Sequence, residues 1–285
     1  MPELFGADCY SPREIAERVE NVGVTKAHLP LLPLAALGVL AGGFIGLGAI
    51  LFTVVQSDSH LSFALQRVLG GVGFSLGLIL VVLAGAELFT GNNLLVMAWV
   101  SKRISTSHLC RNLLIVYVAN LVGAVGLAVL VALSGHAKLG NGAIERTAIL
   151  LAATKTAMPF AEAFAKGILC NLLVCLAVWI AMAGRNVTDK VVAILFPITA
   201  FVAAGFEHSI ANMYFIPLGI FLNQASASPT VSGAESLNVA GFLHNLIPVT
   251  LGNLLGGAGL VGLVFWVIYR RENSAGPSGV PEEKK

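Results

Sequence analysis

The stretch that decides the fold is AGFEHSIAN, residues 204–212. Its Glu207 and His208 stand between two apolar runs, VVAILFPITAFVA before them and MYFIPLGIFL after them. Burying a carboxylate and an imidazole in such surroundings costs several kcal/mol unless the groups are paired, hydrated or used. The segment therefore predicts a polar break with a function inside an otherwise apolar helix.

Composition assigns the chain to a broad class. Of its 285 residues, 56% are hydrophobic and 11% are charged, and the mean hydropathy is +0.85. That leaves too little polar material to cover a soluble globule, so an integral membrane protein is predicted. The net charge of +2 gives no electrostatic basis for a nucleic-acid partner. The four cysteines lack CxxC spacing and are interpreted as packing thiols, and neither a metal nor a cofactor is expected.

Six apolar runs predict six membrane-spanning segments. They cover residues 31–55, 68–100, 112–133, 159–183, 191–222 and 243–269. If loops alternate between sides, twelve Lys and Arg lie on the side of the termini and four on the other. This bias predicts that both termini are cytoplasmic.

The second and fifth runs are too long to be plain spans. At 33 and 32 residues they would form helices of roughly 50 Å, against a hydrocarbon core of about 30 Å. Each carries a polar interruption beside a glycine, GAELFTGNN at 85–93 and GFEHSIAN at 205–212. We therefore expect two broken helices that line a buried or wet pathway.

The two interruptions also resemble each other. AGAELFTGN from Ala84 aligns with AGFEHSIAN from Ala204, and NLVGAVGL from Asn120 aligns with NLLGGAGL from Asn253. Three spans per half is an odd number, so the second copy enters the membrane from the opposite side. The predicted fold class is an all-α membrane protein with six transmembrane helices in an inverted 3+3 repeat. Glycine stripes in the first and sixth runs indicate close helix packing, within the chain or between subunits.

Four longer strings then point to a family: GGVGFSLGLILVVLAGAELFTG, KGILCNLLVCLAVW, GFEHSIANMYFIPLG and NLIPVTLGNLLGG. They resemble the formate/nitrite transporter family over nearly the whole chain. The resemblance implies an aquaporin-like fold, broken second and fifth helices, a homopentamer in the plasma (inner) membrane and transport of small monovalent anions. The residues themselves divide the chain into three parts: a cytoplasmic amphipathic helix (1–30) that lies either on the membrane or on the protein's own cytoplasmic face, a six-helix transporter domain in contact with lipid (31–272), and a disordered cytoplasmic tail (273–285) that is rich in Pro, Gly and Ser.

Site residues follow from the same resemblance. His208 would be the central pore histidine, with Thr90 as its hydrogen-bonding neighbour and Asn171 facing the pore; these three would serve proton relay or substrate contact. Lys155 would attract anions at a vestibule. The apolar constrictions would be Phe74, Leu78, Leu88, Val174 and Phe201. Structural roles at the breaks fall to Glu87, Glu207, Asn212 and Asn253, with both carboxylates expected to clamp the broken backbone by accepting N–H bonds.

A mechanism follows from physical chemistry. A weak-acid anion that is protonated crosses an apolar constriction more cheaply than the charged form, and histidine, with an ordinary pKa of about 6.5, gives and regains a proton near neutral pH. We therefore predict entry past Lys155, protonation through His208 and passage as the neutral acid. The rival mechanism keeps His208 charged as an attractor for the anion.

Several alternatives stay open at the level of sequence. NNLLVMAWVSKR and EHSIANMYFIPLG favour the formate branch, whereas KTAMP and ILCNLLVCLAVW are close to the nitrite branch; hydrosulfide, acetate and lactate are further candidates in the family. A neutral-solute channel of the aquaporin type is the nearest alternative class, although paired NPA motifs are absent from the sequence. An enzyme is not predicted, because no catalytic constellation appears within the spans.

Overall fold

The computed structural model describes residues 9–226 and 234–271, and these are helical apart from turns and short connections. Six helical segments are long and apolar enough to cross a membrane. They are Leu31–Gln56, Phe63–Leu83, Thr106–Leu133, Phe160–Ala181, Val187–Ala204 and Val239–Tyr269. The all-α class with six membrane helices is therefore confirmed. The predicted tail, 273–285, lies outside the described residues.

Helix α1 (Pro12–Ala27) precedes the first span. It begins with a capping box, in which Ser11 Oγ accepts the Glu14 N–H and the Glu14 carboxylate accepts the Ser11 N–H. The backbone bond from Ser11 is the main reason why the pKa of the Glu14 carboxyl lies below its ordinary value. The apolar face of α1, which includes Ile15 and Val19, packs on the protein itself. Of the two placements that the sequence left open for this helix, the structure has this one.

The second and fifth apolar runs are each interrupted near the middle. Helix α2 (Leu31–Gln56) leads to α3 (Phe63–Leu83), after which helical structure resumes at α4 (Phe89–Asn92), a 3-10 turn (Asn93–Leu95) and α5 (Val96–Val100). Further along, α9 (Val187–Ala204) is followed by α10 (Ser209–Ala225). Gly85 and Gly205 follow the first helix of each pair with φ of 70° and 76°, in the left-handed region that favours glycine. We name the non-helical segments 84–88 and 205–208 the first and second break.

The third and sixth spans begin earlier than predicted. Helix α6 (Thr106–Leu133) starts six residues before the apolar run, because Ser105 caps it by accepting the His108 N–H. Asn238 caps α11 (Val239–Leu254) in the same way through Gly241. The last span continues as a π-helical segment (Leu255–Leu263) and α12 (Val264–Tyr269). Polar caps thus extend both helices beyond what hydropathy detects.

Sequence reasoning missed one helix entirely. Helix α7 (Leu139–Thr156) follows a short 3-10 turn and packs against α10. Residues 140–142, Gly-Asn-Gly, have left-handed backbone, so the first turns are irregular and too polar for a search based on apolar runs. The helix matters because its last turn carries Lys155.

Glycines bring the spans into close contact within the chain. A Cβ added to Gly42 of α2 would lie 2.1 Å from the carbonyl oxygen of Asn120 in α6. In the other half, a Cβ added to Gly252 of α11 would lie 2.3 Å from the carbonyl oxygen of Phe164 in α8 (Phe160–Ala181). The predicted glycine stripes therefore serve helix pairs inside one subunit, where they place Asn120 and Asn253 beside the breaks.

Candidate functional site

The side chain of Asn253 holds the second break. Its Oδ1 accepts the N–H of Ser209, the first residue of α10, at 2.9 Å. Its Nδ2 donates to the carbonyls of Gly167 and Glu207 at 2.8 and 3.0 Å. One fully buried amide thus satisfies two backbone groups of the break, the Ser209 N–H and the Glu207 carbonyl, and ties them to the Gly167 carbonyl inside α8.

Asn120 does the same at the first break. Its Oδ1 accepts the N–H of Phe89, the first residue of α4, at 2.9 Å. Its Nδ2 donates to the carbonyls of Gly38 and Glu87 at 2.8 and 2.9 Å. The bond pattern matches that of Asn253, from the corresponding place in the other half of the chain.

The Glu207 carboxylate lies in a small polar cluster. Oε1 pairs with Lys155 Nζ at 2.7 Å, and Oε2 accepts from Asn212 Nδ2 at 2.7 Å. Asn212 Nδ2 also donates to Asn245 Oδ1, whose own amide donates to the carbonyl of Lys155 at 2.9 Å. Asn212 Oδ1 is buried and has no hydrogen-bond partner among the described residues.

The first break has a matching cluster around Glu87. Oε1 pairs with Lys26 Nζ at 3.0 Å, and Oε2 accepts from Asn92 Nδ2 at 2.6 Å. Asn92 Nδ2 also donates to Asn112 Oδ1, and the Asn112 amide donates to the carbonyl of Lys26 at 3.0 Å. Here Lys26 donates a second bond to Asn92 Oδ1 at 2.9 Å, so this acceptor is occupied where that of Asn212 is open.

These clusters correct one expectation and add residues. The hydrogen bonds of both carboxylates go to amide side chains and ammonium groups, so the prediction that they clamp backbone N–H groups was wrong; Asn120 and Asn253 bind the backbone instead. Sequence reasoning missed Lys26, Asn112 and Asn245. Extending the NLVGAVGL alignment eight residues upstream pairs Asn112 with Asn245, and that signal was sufficient to find both.

His208 is the N-cap of α10 and connects the second break to α4, the short helix that follows the first break. Its Nδ1 accepts the Ala211 N–H at 3.1 Å, and its Nε2 lies 2.9 Å from Thr90 Oγ1. Because Nδ1 accepts a bond, the proton of the neutral ring sits on Nε2 and is donated to Thr90. The residue is 3% exposed, and its ring stacks on that of Phe201 with 6.1 Å between centroids.

Two cavities lie at opposite ends of α3. The Lys26 vestibule, of about 230 Å³, is lined by Lys26, Leu78, Val81, Leu88, Asn92 and Lys190. The Lys155 vestibule, also of about 230 Å³, is lined by Arg67, Phe74, Lys155, Phe201, Glu207 and His208. The cavities therefore meet the two breaks from opposite sides.

The predicted constriction residues lie at the inner ends of these cavities, with one exception. Phe74 and Phe201 pack edge to face, 5.8 Å between centroids, at the end of the Lys155 vestibule. Leu78, one turn further along α3, and Leu88 line the Lys26 vestibule. Val174 is buried but lines neither cavity.

Asn171 does not face either cavity. Its Nδ2 donates to the carbonyls of Asn253 and Thr90 at 2.7 and 3.3 Å, and the residue is fully buried. This placement corrects the expectation that Asn171 faces the pore, because its amide is occupied by backbone groups of the breaks. In the described parts of the chain, no three His, Cys, Asp or Glu residues are grouped to hold a metal ion.

Six apolar helices, two vestibules and a buried imidazole between them define a membrane transport protein. The family description "Formate/nitrite transporter" matches residues 13–267. The chain belongs to the formate/nitrite transporter family, and it is a multi-pass membrane protein.

Individual relatives and structures agree with this assignment. The chain is 43% identical to "Formate channel FocA" of Escherichia coli (strain K12) over 276 residues, 93% of this chain and 96% of the relative. It is 39% identical to "Formate channel FocA" of Haemophilus influenzae, covering 89% and 92%. A solved "Pentameric formate channel with formate bound" superposes with a TM-score of 0.77 at 38% identity, covering 84% and 97%.

Proposed function

We propose that this protein conducts formate across the membrane as a passive, proton-linked transporter and performs no chemical conversion. One arrangement carries the proposal. Two vestibules, each with a lysine beside its helix break, lie on either side of an apolar wall and one imidazole. The wall consists of four side chains: Phe74, Leu78, Leu88 and Phe201. The 43% identity to a formate channel over most of both chains supports formate as the substrate.

The Lys155 vestibule would receive the anion from outside the cell. The excess of Lys and Arg on the side of the termini supports a cytoplasmic position for the Lys26 vestibule, which α1 borders. At the inner end of each vestibule an ammonium N–H is available to a carboxylate oxygen, since Lys155 and Lys26 each have three donors. The open acceptor Oδ1 of Asn212 would accept a hydrogen bond from water or from the hydroxyl of the neutral acid.

The apolar wall makes the protonated form the species that crosses. Phe74 and Phe201 on one side and Leu78 and Leu88 on the other offer no hydrogen-bond donor to replace lost hydration. A neutral acid has a much smaller desolvation cost than its anion. Proton transfer at the wall therefore lowers the barrier to transport.

The geometry of His208 sets the condition for its role as a relay. With its only proton on Nε2, the ring donates a hydrogen bond but has no acidic proton to give. It becomes an acid only when Nδ1 is also protonated, and then Nδ1 can no longer accept the Ala211 N–H. Relay through His208 would thus loosen the first turn of α10. The rival mechanism, a permanently charged His208, would lose the same cap permanently.

The assembly and topology form part of the proposal. The solved pentameric relative supports a homopentamer with one pathway per subunit in the inner membrane. The matched bond patterns of Asn120 and Asn253 support an inverted repeat. Both termini would then be cytoplasmic.

A solute panel in proteoliposomes tests this function. We expect uptake of radiolabelled formate that rises as pH falls, with slower uptake of acetate or lactate and no conduction of water or glycerol. Water or glycerol flux without formate flux would replace the proposal by a neutral-solute channel. Nitrite uptake that exceeds formate uptake at every pH would assign the protein to the nitrite branch.

A further inference from the structure

The lysines beside the breaks do not set the net charge of the vestibules. Lys155 is neutralised by Glu207 at 2.7 Å, and Lys26 by Glu87 at 3.0 Å. On the wall of the Lys155 vestibule, Lys166 pairs with Glu162, one helical turn away, at 2.7 Å.

Two lining cations remain outside these pairs. Arg67 lines the Lys155 vestibule and Lys190 the Lys26 vestibule. Neither belongs to an ion pair among residues 9–226 and 234–271. Counted with their paired carboxylates, the described lining side chains therefore leave each vestibule with one more cation than carboxylates.

Arg67 is fixed on the C-terminal end of a broken helix. Its Nε donates to the carbonyl of Ala203 at 3.0 Å and its Nη2 to that of Val202 at 2.5 Å. Both carbonyls belong to the last turn of α9, where partial negative charge accumulates because helical N–H partners are missing. Without a cation there, the helix would present this negative end to an incoming anion.

The electric field of a cation in a close ion pair has a shorter range than that of a cation outside such a pair. A close ion pair such as Lys155 with Glu207 acts at a distance as a dipole, whose potential falls off quickly. An unbalanced charge beside an apolar cavity acts over roughly a Debye length, about 8 Å at physiological salt, and concentrates counter-ions in the cavity.

We propose that Arg67 determines anion entry into the Lys155 vestibule, by covering the carbonyl end of α9 and supplying the unbalanced positive charge, with Lys190 in the corresponding position at the other vestibule. The inference rests on the proposed anion transport. It separates two tasks: Lys155 contacts the anion at the end of the vestibule, and Arg67 brings the anion there.

Formate uptake by Arg67→Gln and Arg67→Lys in proteoliposomes tests this role. For Arg67→Gln we expect the half-saturating formate concentration to rise about three- to tenfold, with less dependence on added impermeant salt than wild type and a nearly unchanged maximal rate. Arg67→Lys keeps the charge and should stay within about twofold of wild type. Glu162→Gln/Lys166→Gln removes one cation and one anion from the same vestibule, so its half-saturation should not change.

The possible results separate this inference from the function on which it rests. An unchanged half-saturation and salt dependence in Arg67→Gln, with wild-type uptake intact, would overturn the role of Arg67 alone. So would a fall in maximal rate that Arg67→Lys shares, because this would show a structural cap only. Absence of formate uptake by the wild type would instead overturn the proposed function.

Discussion

The two breaks have nearly the same polar framework and differ at one decisive position. At the first break the N-cap of the following helix is Leu88, which offers no side-chain hydrogen bond. At the second break the equivalent residue, 120 positions later, is His208, whose ring caps α10 and contacts Thr90. The common framework of Asn, Glu and Lys holds open backbone at membrane depth. The difference adds an imidazole to one side only, so the proton relay that we propose belongs to the second break.

The largest expected effect on stability comes from removing the Asn side-chain amides that hold the breaks. In Asn253→Leu or Asn120→Leu, two buried backbone groups of the break lose their partner, and at about 1–3 kcal/mol for each such group we expect the free energy of unfolding to fall by about 2 to 5 kcal/mol. Thermal unfolding of the detergent-purified protein measures it. The exposed Asn21→Leu is the control and should change little. If the two framework variants differ widely, the breaks are not equivalent in stability.

The ion pairs give the second test. Breaking a buried pair leaves an uncompensated charge, at a cost of about 3 kcal/mol. The side chain of Lys155 is 14% exposed and that of Lys26 is 25% exposed. Lys155→Met should therefore lower the free energy of unfolding more than Lys26→Met does. The double variants Lys155→Met/Glu207→Gln and Lys26→Met/Glu87→Gln should recover part of the loss. Strict additivity of the single effects would show that the pairs are not coupled.

The smallest expected effect on stability comes from replacing His208, which stands where the first break has Leu88. His208→Leu makes the second break like the first and removes a cap worth about 1 kcal/mol. His208→Asn keeps an acceptor for the Ala211 N–H and so should retain stability, yet it removes the titratable ring. We expect both variants to lose the pH dependence of formate uptake, measured from about pH 5 to 8. A wild-type pH profile in His208→Asn would exclude the relay.

The sequence predicted the class, the six spans and the polar interruptions because each leaves a local signal. Apolar runs of span length identify membrane helices, and an unusual Glu-His pair between such runs identifies a break. Asn253 was also accessible, because it recurs in a repeated string. These features require no knowledge of which helices touch.

Features that depend on contacts between distant segments were not predictable in the same way. Lys26 lies in a polar helix before the first span, and only packing shows that it reaches Glu87. An Asn in an apolar helix looks the same in the sequence whether it faces a pore or a neighbouring backbone. In the structure, the amide of Asn171 binds a neighbouring backbone carbonyl. Arg67 counted only as one loop charge until its bonds to the end of α9 were visible.

The hydrogen-bonded groups around each break come from one half of the chain. The first set lies between Lys26 and Asn120, and the second between Lys155 and Asn253. During synthesis, the ribosome releases every member of the first set before any member of the second. The amino-terminal half therefore has the means to neutralise its own buried charge in the bilayer while the rest of the polypeptide is still being translated, whereas the contacts of Thr90 with Asn171 and His208 must wait.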